Sequence, residues 1–123
     1  MLQAPLRRLP FRSNSFSGIV SMYAINHDTR KGIMQAGREF VRVLRPGGWL
    51  VIGLPGTSAR KGNLEIPKEG IEKGIPHYRA SRSDLTEFLA GLDVLEIAQN
   101  VRGLQNPGRP RVNWLAAARK PRR

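Results

Sequence analysis

Between Arg30 and Leu44 the apolar residues Ile33, Ala36, Phe40 and Leu44 recur at helical spacing, with Met34 and Val41 beside them. Arg38, Glu39, Arg42 and Arg45 hold the other side. Apolar residues three or four apart draw one stripe along a helix, so the segment predicts an amphipathic helix. Asn26-His27-Asp28-Thr29 offers side-chain acceptors for its first turn, and Pro46-Gly47-Gly48 is expected to stop it. The pattern on either side is different. Upstream, residues 18–25 are rich in β-branched and aromatic types after a Ser13-Asn14-Ser15 turn, and predict a strand. Downstream, Trp49-Leu50-Val51-Ile52-Gly53-Leu54 is apolar without alternation, the pattern of a strand buried on both faces. Strand, helix and buried strand form a βαβ unit with an expected right-handed crossover.

The periodicity then stops. Residues 55–80 contain Pro55, Gly56, Gly62, Pro67, Gly70, Gly74 and Pro76, and predict a lid-like loop with room for a short amphipathic helix over 65–73. Ser81 and Asp84 form a capping box that opens a helix carrying Leu85, Phe88 and Leu89, closed by Gly91. Leu92, Val94, Leu95 and Ile97 alternate, after a one-residue slip, with Asp93 and Glu96, which predicts a half-exposed strand over 93–100. A turn region with Asn106-Pro107-Gly108 separates it from a last strand over 112–119, so the two should pair antiparallel. The expected organisation is one domain: βαβ over 1–54, loop over 55–80, helix plus hairpin over 81–119, and a basic tail over 120–123. Parallel strands followed by an antiparallel hairpin make an α/β mixed sheet of the doubly wound type.

Composition narrows the chemistry. The 123 residues suit one small domain, and Lys+Arg outnumber Asp+Glu by 21 to 9, a net charge of +12. That surplus attracts nucleic acid, anionic surfaces and acidic partners, but bears on solubility and association, not on fold. No cysteine is present, which excludes disulfides, thiolate zinc sites and cysteine nucleophiles. Met1 to Pro10 lacks the apolar stretch of a signal peptide, and no apolar run approaches the roughly 20 residues of a membrane span. The expectation is a cytoplasmic protein with no membrane partner. The two histidines, His27 and His77, stand far apart with no neighbouring carboxylate pair, so their spacing predicts no metal site.

Two segments resemble a known family. Leu9-Pro10-Phe11 followed by Phe16 and an apolar strand resembles the "LPF…SFD" segment of class I S-adenosylmethionine (SAM)-dependent methyltransferases of small molecules, type 11-like. Arg38-Glu39-Phe40-Val41-Arg42-Val43-Leu44-Arg45-Pro46-Gly47-Gly48-Trp49-Leu50 resembles the same family's "E…RVLKPGG.L" signature. His77-Tyr78-Arg79, the capped helix and the final hairpin are similar to its lid and closing strands.

The resemblance implies a partial Rossmann-like methyltransferase sheet holding strands 4, 5, 7 and 6 of a seven-stranded order, the C-terminal half only. Strands 1 to 3, the glycine-rich turn that lets backbone approach the cofactor, and the acid that binds the ribose would precede Met1; this sequence has no GxGxG. The implied cofactor is SAM. Pro5 and Leu6 match the positions that flank the adenine; Pro5 lacks a carboxylate or amide, and Leu6 offers its backbone N–H and apolar surface. Ser17 stands where the family carries Asp. Met22 matches a cofactor-touching position, while Tyr23, Asn26, His77 and Tyr78 face the methyl acceptor. His27 is the candidate general base, because imidazole titrates near neutrality. In-line positioning of the acceptor carries much of methyl transfer, since the sulfonium is already activated.

Three readings follow. The first is SAM-dependent methyl transfer to a small molecule, by a chain inactive without its N-terminal half. The second is a non-catalytic remnant or interaction module, a homodimer included, pairing through the open edge of the fourth strand. The third is a basic nucleic-acid-binding fragment, against which stands the lack of aromatic–basic interleaving.

Overall fold

The computed structural model describes residues 7–102 and 111–122. Strand β1 (Phe16–Met22), helix α1 (Arg30–Val43) and strand β2 (Leu44–Gly56) form the parallel unit. Short strands β3 (Asn63–Glu65) and β4 (His77–Arg79), helix α2 (Arg82–Phe88) and strands β5 (Asp93–Arg102) and β6 (Arg111–Arg119) follow. The main sheet has the order β1-β2-β6-β5, with β6 antiparallel to both neighbours. This is the expected mixed α/β arrangement, with the last two strands paired as the turn between them predicts.

Helix α1 follows its apolar stripe. Thr29 caps it, its Oγ1 accepting from the Gly32 N–H at 3.3 Å. Ile33, Ala36 and Phe40 are buried against Leu50, Ile52 and Leu54 of β2 and against Trp114, Ala116 and Ala118 of β6. Burial of each large side chain contributes roughly 1.5–3 kcal/mol. Phe40 meets Phe88 of α2 edge to face at 6.2 Å. At Gly37 the two helices approach so closely that a Cβ would lie 2.9 Å from the Phe88 ring.

Two local expectations are corrected. First, the helix ends at Val43, and Pro46-Gly47-Gly48 is not its stop but a bulge inside β2. The parallel register jumps from Phe16↔Leu44 to Gly18↔Trp49 around it. Gly47 takes φ +81°, and a Cβ on Gly48 would lie 2.8 Å from the Arg45 carbonyl, so both positions require glycine. Second, no helix forms over 65–73. Gly70 adopts φ of +88°, which a right-handed helix cannot contain, and Ile71 is fully exposed. Instead β3 and β4 pair antiparallel, Leu64 opposite Tyr78, and Gly56 bridges to Ala80. The basic tail also packs onto the fold. Lys120 Nζ donates to the Val41 and Leu44 carbonyls, at 2.7 and 2.8 Å, satisfying acceptors that the end of α1 leaves open. The Lys120 backbone closes the bulge through Gly47 and Gly48.

Helices cover one face of the sheet only. On the other face Val20, Trp49 and Leu115 remain 62%, 44% and 45% exposed, so the expected burial of β2 on both faces is not met among the described residues. Among those residues no helix is long and apolar enough to cross a membrane.

Candidate functional site

In open α/β sheets ligands gather at the carboxyl ends of the strands. Here that region is built by the end of β1, the turn over 23–29, and β4. The segment before β1 is fixed by the signature on α1. Arg42 donates to the Leu9 and Phe11 carbonyls at 3.0 and 2.8 Å, and Glu39 accepts the Leu9 N–H at 2.9 Å. Arg42 and Glu39 also pair with each other at 2.6 Å. The hydrogen bond from Arg42 holds the Glu39 carboxyl below the usual carboxylate range, against the opposing effect of burial. The E-x-x-R spacing thus places both partners one helical turn apart, where they clamp the Leu9-Pro10-Phe11 backbone. Phe11 then meets Phe16 edge to face at 4.8 Å.

At the end of β1, Tyr23 adopts φ +56°, a conformation uncommon outside glycine, and its N–H donates to the Gly53 carbonyl at 2.7 Å. Met22 and Tyr23 are 46% and 43% exposed. Met22 lies over Gly53, where a Cβ would come within 2.7 Å of the Met22 methyl carbon. It lines an apolar cleft of about 410 Å³ along the open edge of β1, with Leu9, Phe11, Ser21 and Ala24. Ser21 Oγ is buried with no hydrogen-bond partner.

Asn26, His77 and Tyr78 line a second, polar cleft of about 300 Å³ with Pro55, Glu65 and Glu72. Asn26 is buried; its carbonyl accepts the Tyr78 N–H at 2.8 Å, and its Oδ1 has no partner. The rings of His27 and His77 meet edge to face, 4.7 Å between centroids at 88°. Glu72 Oε2 stands 3.0 Å from His77 Nε2, which makes no hydrogen bond among the described residues. The spacing argument against a metal centre overlooked this juxtaposition, because Glu72 reaches the two histidines only through the turns between β3 and β4.

Tyr78 is a buried strut. Its hydroxyl donates to Asp84 Oδ2 at 2.7 Å, and burial together with that carboxylate pushes its pKa up to about 12. Asp84 also accepts from the Ser81 N–H at 3.0 Å and from Arg30 Nε at 2.9 Å. Burial raises the Asp84 carboxyl, but the hydrogen bonds from Tyr78, Ser81 and Arg30 together outweigh it and hold the group below the usual range. The capping box was legible in the sequence; its partners Arg30 and Tyr78 were not. The structure therefore separates the candidate residues: Met22 lines one cleft, Asn26, His77 and Tyr78 the other, and His27 joins the second through His77. Pro5 and Leu6 lie outside the described residues.

Residues 1–52 match the family described as a methyltransferase domain. The fold is similar to that of a SAM-dependent methyltransferase from Methanosarcina mazei, with 15% identity over 94% of this chain and 64% of that one, and a TM-score of 0.73. This is a class I SAM-dependent methyltransferase fold. The cofactor implied by that family is SAM. A 1,6-didemethyltoxoflavin-N1-methyltransferase from Burkholderia thailandensis, solved with bound 1,6-didemethyltoxoflavin and S-adenosylhomocysteine, matches at 17% identity, 96% and 49% coverage and a TM-score of 0.69. The N-methyltransferase NodS from Bradyrhizobium japonicum, solved with S-adenosylhomocysteine, matches at 20% identity, 97% and 52% coverage and a TM-score of 0.62. The chain thus spans about half to just under two thirds of the length of these structures. A search of curated proteins found no match.

Proposed function

We propose that this chain is the C-terminal part of a SAM-dependent methyltransferase domain acting on a small molecule, and that it does not turn over substrate alone. The observation that carries this reading is the clamp of Glu39 and Arg42 on the Leu9-Pro10-Phe11 backbone. It joins the two signature segments into one unit, and that unit directs the exposed Met22 and Tyr23 to the carboxyl end of the sheet. The residues fit one wall of a cofactor site. Met22 offers it apolar surface, and Pro5 and Leu6 are proposed to flank the adenine. The sequence has no GxGxG to let backbone approach the cofactor, and this is why we expect the isolated chain to be inactive. When bound, SAM supplies an activated methyl group. Asn26 and His77 would then orient the acceptor, with Tyr78 holding β4 in place, and His27 would take its proton.

Two titrations test this. Calorimetry with SAM should detect no binding tighter than about 100 μM, roughly −5.5 kcal/mol. Tighter binding would refute the inactive-alone part. Amide chemical shifts at millimolar SAM should move at Met22, Tyr23 and Ala24; shifts that stay still everywhere would sink the cofactor wall itself.

The uncovered face of Val20, Trp49 and Leu115, beside the open edge of β1, favours a second reading, an interaction module that pairs with another copy or with a complementing chain. Light scattering on the purified chain should then give a dimer or larger species, and a monomer across micromolar concentrations would count against it.

A further inference from the structure

We propose that His27, Glu72 and His77 form a binding site for a divalent transition-metal ion, with zinc as the preferred occupant. Two imidazoles and one carboxylate are the donor set of a three-ligand zinc site that keeps a fourth position open. The three residues offer one ligand atom each, and these atoms lie within 4.8 Å of one another. Tetrahedral coordination at about 2.0–2.1 Å separates ligand atoms by about 3.3 Å. Glu72 Oε2 and His77 Nε2 already stand 3.0 Å apart. His27 needs to close by at most about 1.5 Å to meet that separation. His27 and Glu72 are exposed side chains on turn segments, free to turn toward an ion, while His77 is held on β4.

Two further observations point to a missing partner at this place. His77 Nε2 is buried without a hydrogen bond, although a carboxylate stands beside it. Asn26, in the wall of the same cleft, has a buried Oδ1 that is likewise unpartnered. Buried polar atoms are rarely left so, and unpartnered ones call for an unseen water or ion. An ion here would satisfy His77 Nε2 directly.

The site does not depend on methyl transfer, since the donors are side chains of this chain alone. If the chain acts as proposed above, the ion would stand at the acceptor end of the sheet. There His27 would hold the ion in place of acting as a base, and the ion would lower the pKa of a bound water or acceptor hydroxyl.

The test uses the untagged chain. Calorimetry with Zn2+ at neutral pH should show one site of low-micromolar affinity, and Co2+ should give the visible bands of tetrahedral coordination. Losing even an outer-shell partner of a metal ligand costs about 10–100-fold in affinity, so His27→Ala and His77→Ala should each weaken Zn2+ binding at least about tenfold. Glu72→Gln should weaken it too, whereas Glu96→Gln, on the distant strand β5, should leave it unchanged. Because His27 is exposed, its variant keeps the fold and isolates the ligand role. Mg2+, which prefers oxygen donors, should not compete. No Zn2+ binding at 100 μM metal, or binding unchanged in the His27→Ala, His77→Ala double variant, or equal binding of Mg2+ would each overturn the site. None of these outcomes bears on the SAM titrations.

Discussion

The two faces of the sheet are made of similar residues and have different fates. On one, Leu50, Ile52, Leu54, Trp114 and Ala116 lie under α1 and α2, each at most 4% exposed. On the other, Val20, Trp49 and Leu115 alternate with them along the same strands and stay open to solvent. An unbroken apolar strand records what a sheet is built to contact, not what covers it. The side chains of the open face have already adapted to one another. Trp49 fills the space above Gly18, where a Cβ would come within 2.4 Å of its ring, and Met22 fills that above Gly53. Those glycines let large neighbours lie flat, which leaves a broad and shallow apolar surface.

The sharpest way to separate the faces is to remove one large residue from each. Phe40→Ala, on the helix that packs on the covered face, should cost about 3–5 kcal/mol by loss of burial and the cavity left between the helices. Chemical denaturation measures it, and a loss below about 1 kcal/mol would mean that α1 does not bear on the core as described. The next largest effect concerns the fastening of the cover. Asp84→Asn takes away a charged acceptor shared by Tyr78, Ser81 and Arg30, and should cost about 1–3 kcal/mol. Asn retains one acceptor, so Asp84→Ala should cost more.

The same carboxylate sets an acid limit. Asp84 and Glu39 have folded-state pKa values below their unfolded ones. Their contribution is fully present above the ordinary carboxylate range, about pH 4, and is lost as pH falls through the lower folded values. Thermal melts between pH 7 and pH 3 should show this, with a flatter acid limb in Asp84→Asn; an unchanged limb would remove Asp84 from the explanation. Smallest of all is the open face. Trp49→Ser should change monomer stability by no more than about 0.5 kcal/mol, yet reduce self-association seen by light scattering. A large loss of stability there would abolish the distinction between the faces.

The sequence made legible whatever depends on local period. The stripe of Ile33, Ala36 and Phe40 specified α1 and its buried side. The slip at Leu95 corresponds to the register shift of β5 between Val94 and Glu96. Gly47 was misread because a left-handed glycine after a helix serves equally as a helix end or as a bulge, and only the distant Lys120 decides between them. The helix expected over 65–73 failed on Gly70, whose conformation overrides the weak apolar pattern of Ile66, Pro67 and Ile71. The candidate site was legible as separate residues and illegible as a constellation. Glu72 carries no local signal, and its meeting with His27 spans 45 residues of chain, a proximity that no periodicity encodes.

The position of β6 bears on how the chain is made. This strand comes last among the elements yet sits between β2 and β5, so two of the sheet's three ladders depend on it. Contacts so distant in sequence are slow to form, and an emerging polypeptide holds its aggregation-prone strands unpaired until they do. On the ribosome β2 and β5 would both wait for the same nine residues. Stalled nascent chains should therefore gain protease resistance in one late step, when Arg111–Arg119 clears the exit tunnel. Stepwise protection starting with β1 and β2 would show that the parallel pair closes without it.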